Sequence, residues 1–286
     1  MSGNRIVVGY DASPPSDRAL AWALDEAART GATVDLVYAL AFPAYAPAVY
    51  IVPGTVAWPD VPTKDAAWAL LAAAAAKARA GHPKVAVSEI VEEGPAAAVL
   101  RDSSTDAALV VVGGHSHHPV ADQVLGSVAV SVAAHAFCSV VIVRDLEAVG
   151  RPVVLGLDEW AHAEEAGQFA LRQAAARGVP LRAVHAWMPP PDPAIGRRFP
   201  NRDEAAIAEL VWAKNRLSPW RAEFPGVHVD IASVVGHPYQ VLTAATRESQ
   251  LTVVGARGRG GFRDLRLGSV TRHLLHHGTG PIAIIR

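Results

Sequence analysis

Short runs of apolar residues alternate along this chain with longer stretches in which apolar positions recur every three or four residues. The short runs fall near residues 5–9, 33–39, 84–91, 107–113 and 139–144, and again near 152–157, 179–186, 227–234, 250–255 and 281–286. They are rich in Val, Ile and Leu with little alternation, which predicts parallel strands buried on both faces. The longer stretches predict helices. The first opens on Ser13-Pro14, an N-cap followed by proline at the first helical position. It places Ala19, Leu20, Ala23, Leu24 and Ala27 on one face. Alternating strands and helices predict a parallel sheet with helices on both sides.

The pattern occurs twice. Ile6-Val7-Val8-Gly9-Tyr10-Asp11 returns as Val153-Val154-Leu155-Gly156-Leu157-Asp158, the two aspartates at an offset of 147. Leu109-Val110-Val111-Val112-Gly113 returns as Leu251-Thr252-Val253-Val254-Gly255 at an offset of 142. Leu125-Gly126-Ser127-Val128 and Leu267-Gly268-Ser269-Val270 keep that offset, as do the endings Val141-Ile142-Val143-Arg144 and Ala283-Ile284-Ile285-Arg286. The first copy is therefore about five residues longer in its middle, and the seam lies just before Pro152. We expect two domains, 1–146 and 151–286. The apolar final runs 140–143 and 282–285 would leave exposed sheet edges, so the copies are expected to pack on each other as a pseudo-twofold pair.

Composition narrows the class without changing this picture. With 51% hydrophobic and 19% charged residues the chain reads as globular. A net charge of −1 supplies no general attraction for nucleic acid or an anionic membrane, so neither is expected as a partner. The longest greasy run, 66–76, is 11 residues between Asp65 and Lys77, well short of the about 20 needed for a membrane span. A single cysteine, Cys138, excludes an intrachain disulfide and fits a reducing compartment. The N-terminus lacks the apolar core of a signal peptide, and a cytoplasmic location is expected. Two proline-rich stretches, 40–62 and 187–200, follow the second strand of each copy, where ligands enter such sheets. They read as surface loops or as a lid or partner surface.

The chemistry concentrates in one segment. Gly255-Ala256-Arg257-Gly258, nine further residues and then Gly268-Ser269 run from a strand end to a helix start. Glycines let the backbone approach phosphate oxygens. A helix N-terminus adds free amides and a favourable dipole. Ser269 offers a hydroxyl, and Arg257, Arg259 and Arg263 offer positive charge. This pattern resembles the ATP-binding signature of the universal stress protein family, and the resemblance covers both copies. It implies a Rossmann-like α/β domain in each copy, with a five-stranded parallel sheet in the order 3-2-1-4-5 flanked by helices. It also implies ATP as ligand, with or without Mg2+, and dimerisation through the final strand, which makes a homodimer plausible. An aspartate after the first strand contacts the adenosine in that family, matching Asp11 and Asp158. A residue ending the second strand lines the adenine pocket, matching Ala39 and Ala186. The candidate binding residues of the second copy are therefore Asp158, Ala186, Gly255, Arg257, Gly258, Arg259, Gly268, Ser269 and Val270.

The first copy departs from the signature. Gly113-Gly114-His115-Ser116, nine residues and Gly126-Ser127 put a serine at the second glycine. His115, His117, His118 and Asp122 stand in that loop, and no arginine does. Its candidates are Asp11, Ala39, Gly113, Ser116, Gly126, Ser127 and Val128, and weaker phosphate binding is expected there. The histidine run lacks a matching Cys or carboxylate pattern, so it is read as polar loop and no metal is assigned. There is no Gly-x-x-x-x-Gly-Lys-Ser/Thr and no Gly-x-Gly-x-x-Gly after either first strand. Cys138 reads as a buried structural thiol, and Glu92-Glu93 as a solvated pair in a loop. The leading reading is an ATP-binding, nucleotide-responsive regulator. The alternatives are a slow ATPase or phosphotransferase acting in the second copy, or a scaffold that has lost nucleotide.

Overall fold

The computed structural model describes residues 4–41, 63–114, 126–144, 149–159, 162–188, 202–257 and 266–286. Most of the two proline-rich stretches lies outside them, as do Ser116, Gly258, Arg259 and the histidine run. The first copy supplies β1 (Arg5–Gly9), α1 (Pro14–Thr30), β2 (Thr33–Leu40), α2 (Lys64–Gly81), β3 (Val87–Glu93), α3 (Ala96–Ser103), β4 (Leu109–Gly113), α4 (Ser127–His135) and β5 (Ser139–Val143). The second supplies β6 (Val153–Gly156), α5 (Ala163–Arg177), β7 (Leu181–Trp187), α6 (Arg202–Glu223), β8 (Val229–Val235), α7 (Pro238–Thr246), β9 (Leu251–Gly255), α8 (Ser269–His277) and β10 (Ile282–Ile285).

Local chemistry accounts for the element ends. Ser13 caps α1 by accepting from the Ser16 amide, with proline at the first turn. Gly31 and Gly178 close α1 and α5 at φ 68° and 64°, a left-handed geometry that suits glycine. The third strand begins later than the apolar run suggests, at Val87 rather than residue 84. A turn in which the Val85 amide donates to the His82 carbonyl takes up the intervening residues. Glu92 and Glu93 are accordingly the last two residues of β3 and not a loop, though both remain exposed. Cys138 immediately precedes β5 and is half-buried rather than fully buried.

The strands form one sheet in the order β3-β2-β1-β4-β5-β10-β9-β6-β7-β8. Each copy thus contributes a Rossmann-like parallel sheet of order 3-2-1-4-5. The expected final-strand pairing is present within the chain: β10 runs antiparallel to β5, with Ile282, Ala283 and Ile284 opposite Ile142, Val141 and Val140. That register is symmetric about the Val141–Ala283 pair, so the copies are related by a pseudo-twofold axis. Neither final strand is left as a bare apolar edge.

Helices cover both faces. Leu20, Leu71, Leu171 and Leu217, from α1, α2, α5 and α6, belong to one buried cluster. Leu100, Val132, Leu242 and Leu274, from α3, α4, α7 and α8, belong to the other. Across the junction the copies also exchange polar contacts. Gln173 of α5 donates to the buried Glu26 of α1, and Arg177 lies 3.5 Å from Glu26 and 5.5 Å from the Trp22 ring. Burial and then the neighbouring Arg29 lower the Arg177 pKa to about 10, against the pull of Glu26, so the guanidinium stays charged at neutral pH.

A reciprocal exchange ties α4 and α8 together. Arg144, just past β5, donates to the carbonyls of Leu275 and Gly278 at the C-terminus of α8. Arg286, just past β10, donates to that of Ala133 in the last turn of α4 and to that of Cys138 just before β5. Each copy therefore caps the other copy's helix with a cation, where the helix dipole and unpaired carbonyls favour one.

Candidate functional site

The carboxyl ends of β6, β7 and β9 and the N-termini of α7 and α8 enclose a cavity of about 430 Å³. A helix N-terminus faces it because Gly268, in extended conformation, is the N-cap of α8 and leaves the first-turn amides without a side-chain cap. The loop base is clamped. The Gly268 amide donates to the Ala256 carbonyl at 2.9 Å, and the Thr271 hydroxyl donates to the Gly255 carbonyl at 2.9 Å. Asp158, Ala186, Gly255, Arg257, Gly268, Ser269 and Val270 all line this cavity. Gly258 and Arg259 lie outside the described residues. Seven candidates from four separated segments thus converge on one concavity.

Arg257, exposed two residues past the end of β9, brings positive charge to the cavity lining, where Asp158 and Glu159 bring carboxylates. Other walls were not foreseen. His185 of β7 lies between two acceptors, the Glu209 carboxylate at 2.9 Å and the Leu157 carbonyl at 3.2 Å, and its ring sits 4.5 Å from Trp212. Glu209, Trp187 and Tyr239 also line the cavity. None belongs to the glycine motif. The only sequence signal for any of them is the Gly236-His237-Pro238 turn that delivers Tyr239 at the start of α7.

The first copy has a counterpart of about 310 Å³, lined by Asp11, Ala39, Gly113, Gly126, Ser127 and Val128. Ser116 lies outside the described residues. Three features mark this cavity. Asp11 is engaged with its own loop, accepting from the Ser13 amide at 3.0 Å and from the Ser13 hydroxyl. Tyr10 on the wall donates to Asp17 at 2.8 Å; burial, that bond and the charges of Asp17 and Asp11 raise its pKa to about 12. Gly113 packs so tightly on Pro15 that a Cβ would lie 2.6 Å from its backbone carbon. The first glycine is thus required there by packing, whatever the cavity binds.

Cys138 lies outside both cavities, and burial raises its thiol to about 11, which suppresses the nucleophilic thiolate. Among the described residues no group of His, Cys, Asp and Glu is arranged to hold a metal ion. No helix among them is long and apolar enough to cross a membrane.

Comparison with known proteins agrees with this architecture. The family model described as "Universal stress protein family" matches residues 3–144 and 150–286. A universal stress protein of Mycobacterium tuberculosis is 36% identical over 313 aligned positions, spanning 100% of this chain and 98% of that one. A universal stress protein of Mycolicibacterium smegmatis is 31% identical, spanning 98% and 96%. Among solved structures, a universal stress protein of Archaeoglobus fulgidus superposes with a TM-score of 0.71 at 16% identity, covering 99% of this chain and 97% of its own, a likeness of fold.

Proposed function

The chain belongs to the universal stress protein family, and on that premise we propose that it is an ATP-binding regulatory module whose main nucleotide site is the second-copy cavity. The observation that carries this reading is the convergence of Gly255, Arg257, Gly268 and Ser269 on one concavity with Asp158 and Ala186. Phosphates would lie on the free amides of α8, where backbone donors and dipole both favour negative charge. Asp158 would face the adenosine and Ala186 the base. A cavity of about 430 Å³ falls in the range of pockets that enclose a small ligand. Regulation fits better than turnover, because the groups assembled here cradle phosphates and supply no Walker lysine for γ-phosphate transfer.

The two units of this reading are 1–146 and 151–286, and its setting is the cytoplasm. The test is extraction of nucleotide from the purified chain, before and after incubation with Mg2+. ATP recovered intact supports the proposal. Conversion to ADP at ordinary enzymatic rates, about 1–1,000 per second, assigns the site to catalysis instead. Absence of nucleotide in a folded chain that also fails to bind added ATP rejects the reading.

A further inference from the structure

The second-copy cavity is walled in part by Tyr239, whose ring neighbours His237 and His273, and the sequence counterparts of these three residues in the first copy are not aromatic. Tyr239, on the first turn of α7, lines the cavity that Ala186, Val184 and Leu242 also line. Its ring lies 5.4 Å from His237 at 24° and 4.7 Å from His273 at 56°. His273 in turn lies 4.2 Å from His277. His273 stands four residues after Ser269 on α8, hence on the same helix face one turn below the phosphate-side hydroxyl. Tyr239 therefore stands both on the cavity wall and against the helix that presents Gly268 and Ser269. At an offset of 142 the first copy has Pro95, Ala97 and Ser131 in place of His237, Tyr239 and His273. None of these carries an aromatic ring.

The side of the sheet is also right. Val184, Leu242, Val254 and Leu274 share one buried cluster, so the wall bearing Tyr239 and the phosphate helix lie on the same face. An aromatic ring in a nucleotide site offers a nucleobase a stacking face, and losing such a contact weakens binding by about tenfold or more. Bracing by two neighbouring rings removes side-chain freedom before the ligand arrives, which lowers the entropic cost of binding.

We propose that Tyr239 is the base-binding residue of the second-copy cavity, its braced ring packing against the adenine of a nucleotide whose phosphates sit at Gly268–Ser269. This rests on the nucleotide reading above, and the experiment separates the two. Calorimetry would compare ATP with inorganic tripolyphosphate, which has phosphates but no base, on the unaltered chain, Tyr239→Phe and Tyr239→Leu. Leucine keeps apolar bulk and so protects the fold; thermal melting checks that it does. The expected result is at least tenfold weaker ATP binding for Tyr239→Leu, tripolyphosphate affinity within twofold, and near-normal ATP binding for Tyr239→Phe. His273→Leu, which removes one brace, should weaken ATP by a smaller factor and leave tripolyphosphate unchanged. Unchanged ATP affinity in Tyr239→Leu, or equal losses for both ligands, overturns the assignment while leaving the nucleotide site standing. Failure of the unaltered chain to bind either ligand overturns both.

Discussion

Gly113 and Gly268 are glycines for different reasons. At Gly113 a Cβ would lie 2.6–2.7 Å from the Pro15 backbone, closer than packed atoms tolerate. Gly268 instead is an N-cap without a side chain, which leaves the α8 amides open to the cavity. The contrast gives a residue-scale prediction. Gly113→Ala must displace the start of α1, and overpacking of this kind costs about 1–3 kcal/mol. Urea denaturation should show a lower midpoint with an unchanged slope, whereas an unaltered midpoint contradicts the packing argument. The motif itself was legible in the sequence, because its glycines and Ser269 follow one another along a single strand–loop–helix. His185, Glu209 and Tyr239 were not. Each reaches the cavity from a different element, and which face of β7, α6 or α7 turns toward it is set by tertiary packing.

At the scale of elements, the strands and the first helix were readable from local signals: unbroken Val and Ile runs and the Ser13-Pro14 cap. The strand order came with the family resemblance. The arginine caps were beyond reach, although Arg144 and Arg286 are visible as matched chain positions. Their partners are the ends of the opposite copy's helices, and nothing local says which helix lies across the junction. The cap on α8 is buried, with Arg144 only 6% exposed, so its hydrogen bonds are poorly replaced by water. Bonds to charged groups are worth about 1.5–3 kcal/mol each in net terms. Arg144→Met retains the apolar stem and removes the charge. It should lower stability by about 2 kcal/mol, read as a drop in the urea midpoint. A midpoint equal to that of the unaltered chain would show that the caps carry no net stability.

The whole molecule is two similar halves whose cavities have diverged. The β5–β10 pairing joins them into one sheet, and Glu26, Gln173 and Arg177 add a charged, largely buried contact across the junction. The second cavity has an exposed arginine after its first motif glycine, a hydrogen bond between Ala256 and Gly268, and an aromatic wall. The first has a tyrosine bonded to Asp17, and alanines stand at 97 and 129 where the second copy has Tyr239 and Thr271. Tight ATP binding should therefore be confined to the second half. The most direct measurement is calorimetric titration with ATP of the unaltered chain, Gly268→Asp and Gly126→Asp. Aspartate is a favourable N-cap, so either variant should keep its helix while its carboxylate occupies the amides offered to phosphate. The account predicts that Gly268→Asp abolishes tight binding and Gly126→Asp leaves it nearly intact. Equal loss in both variants, or tight binding that survives Gly268→Asp, would contradict it.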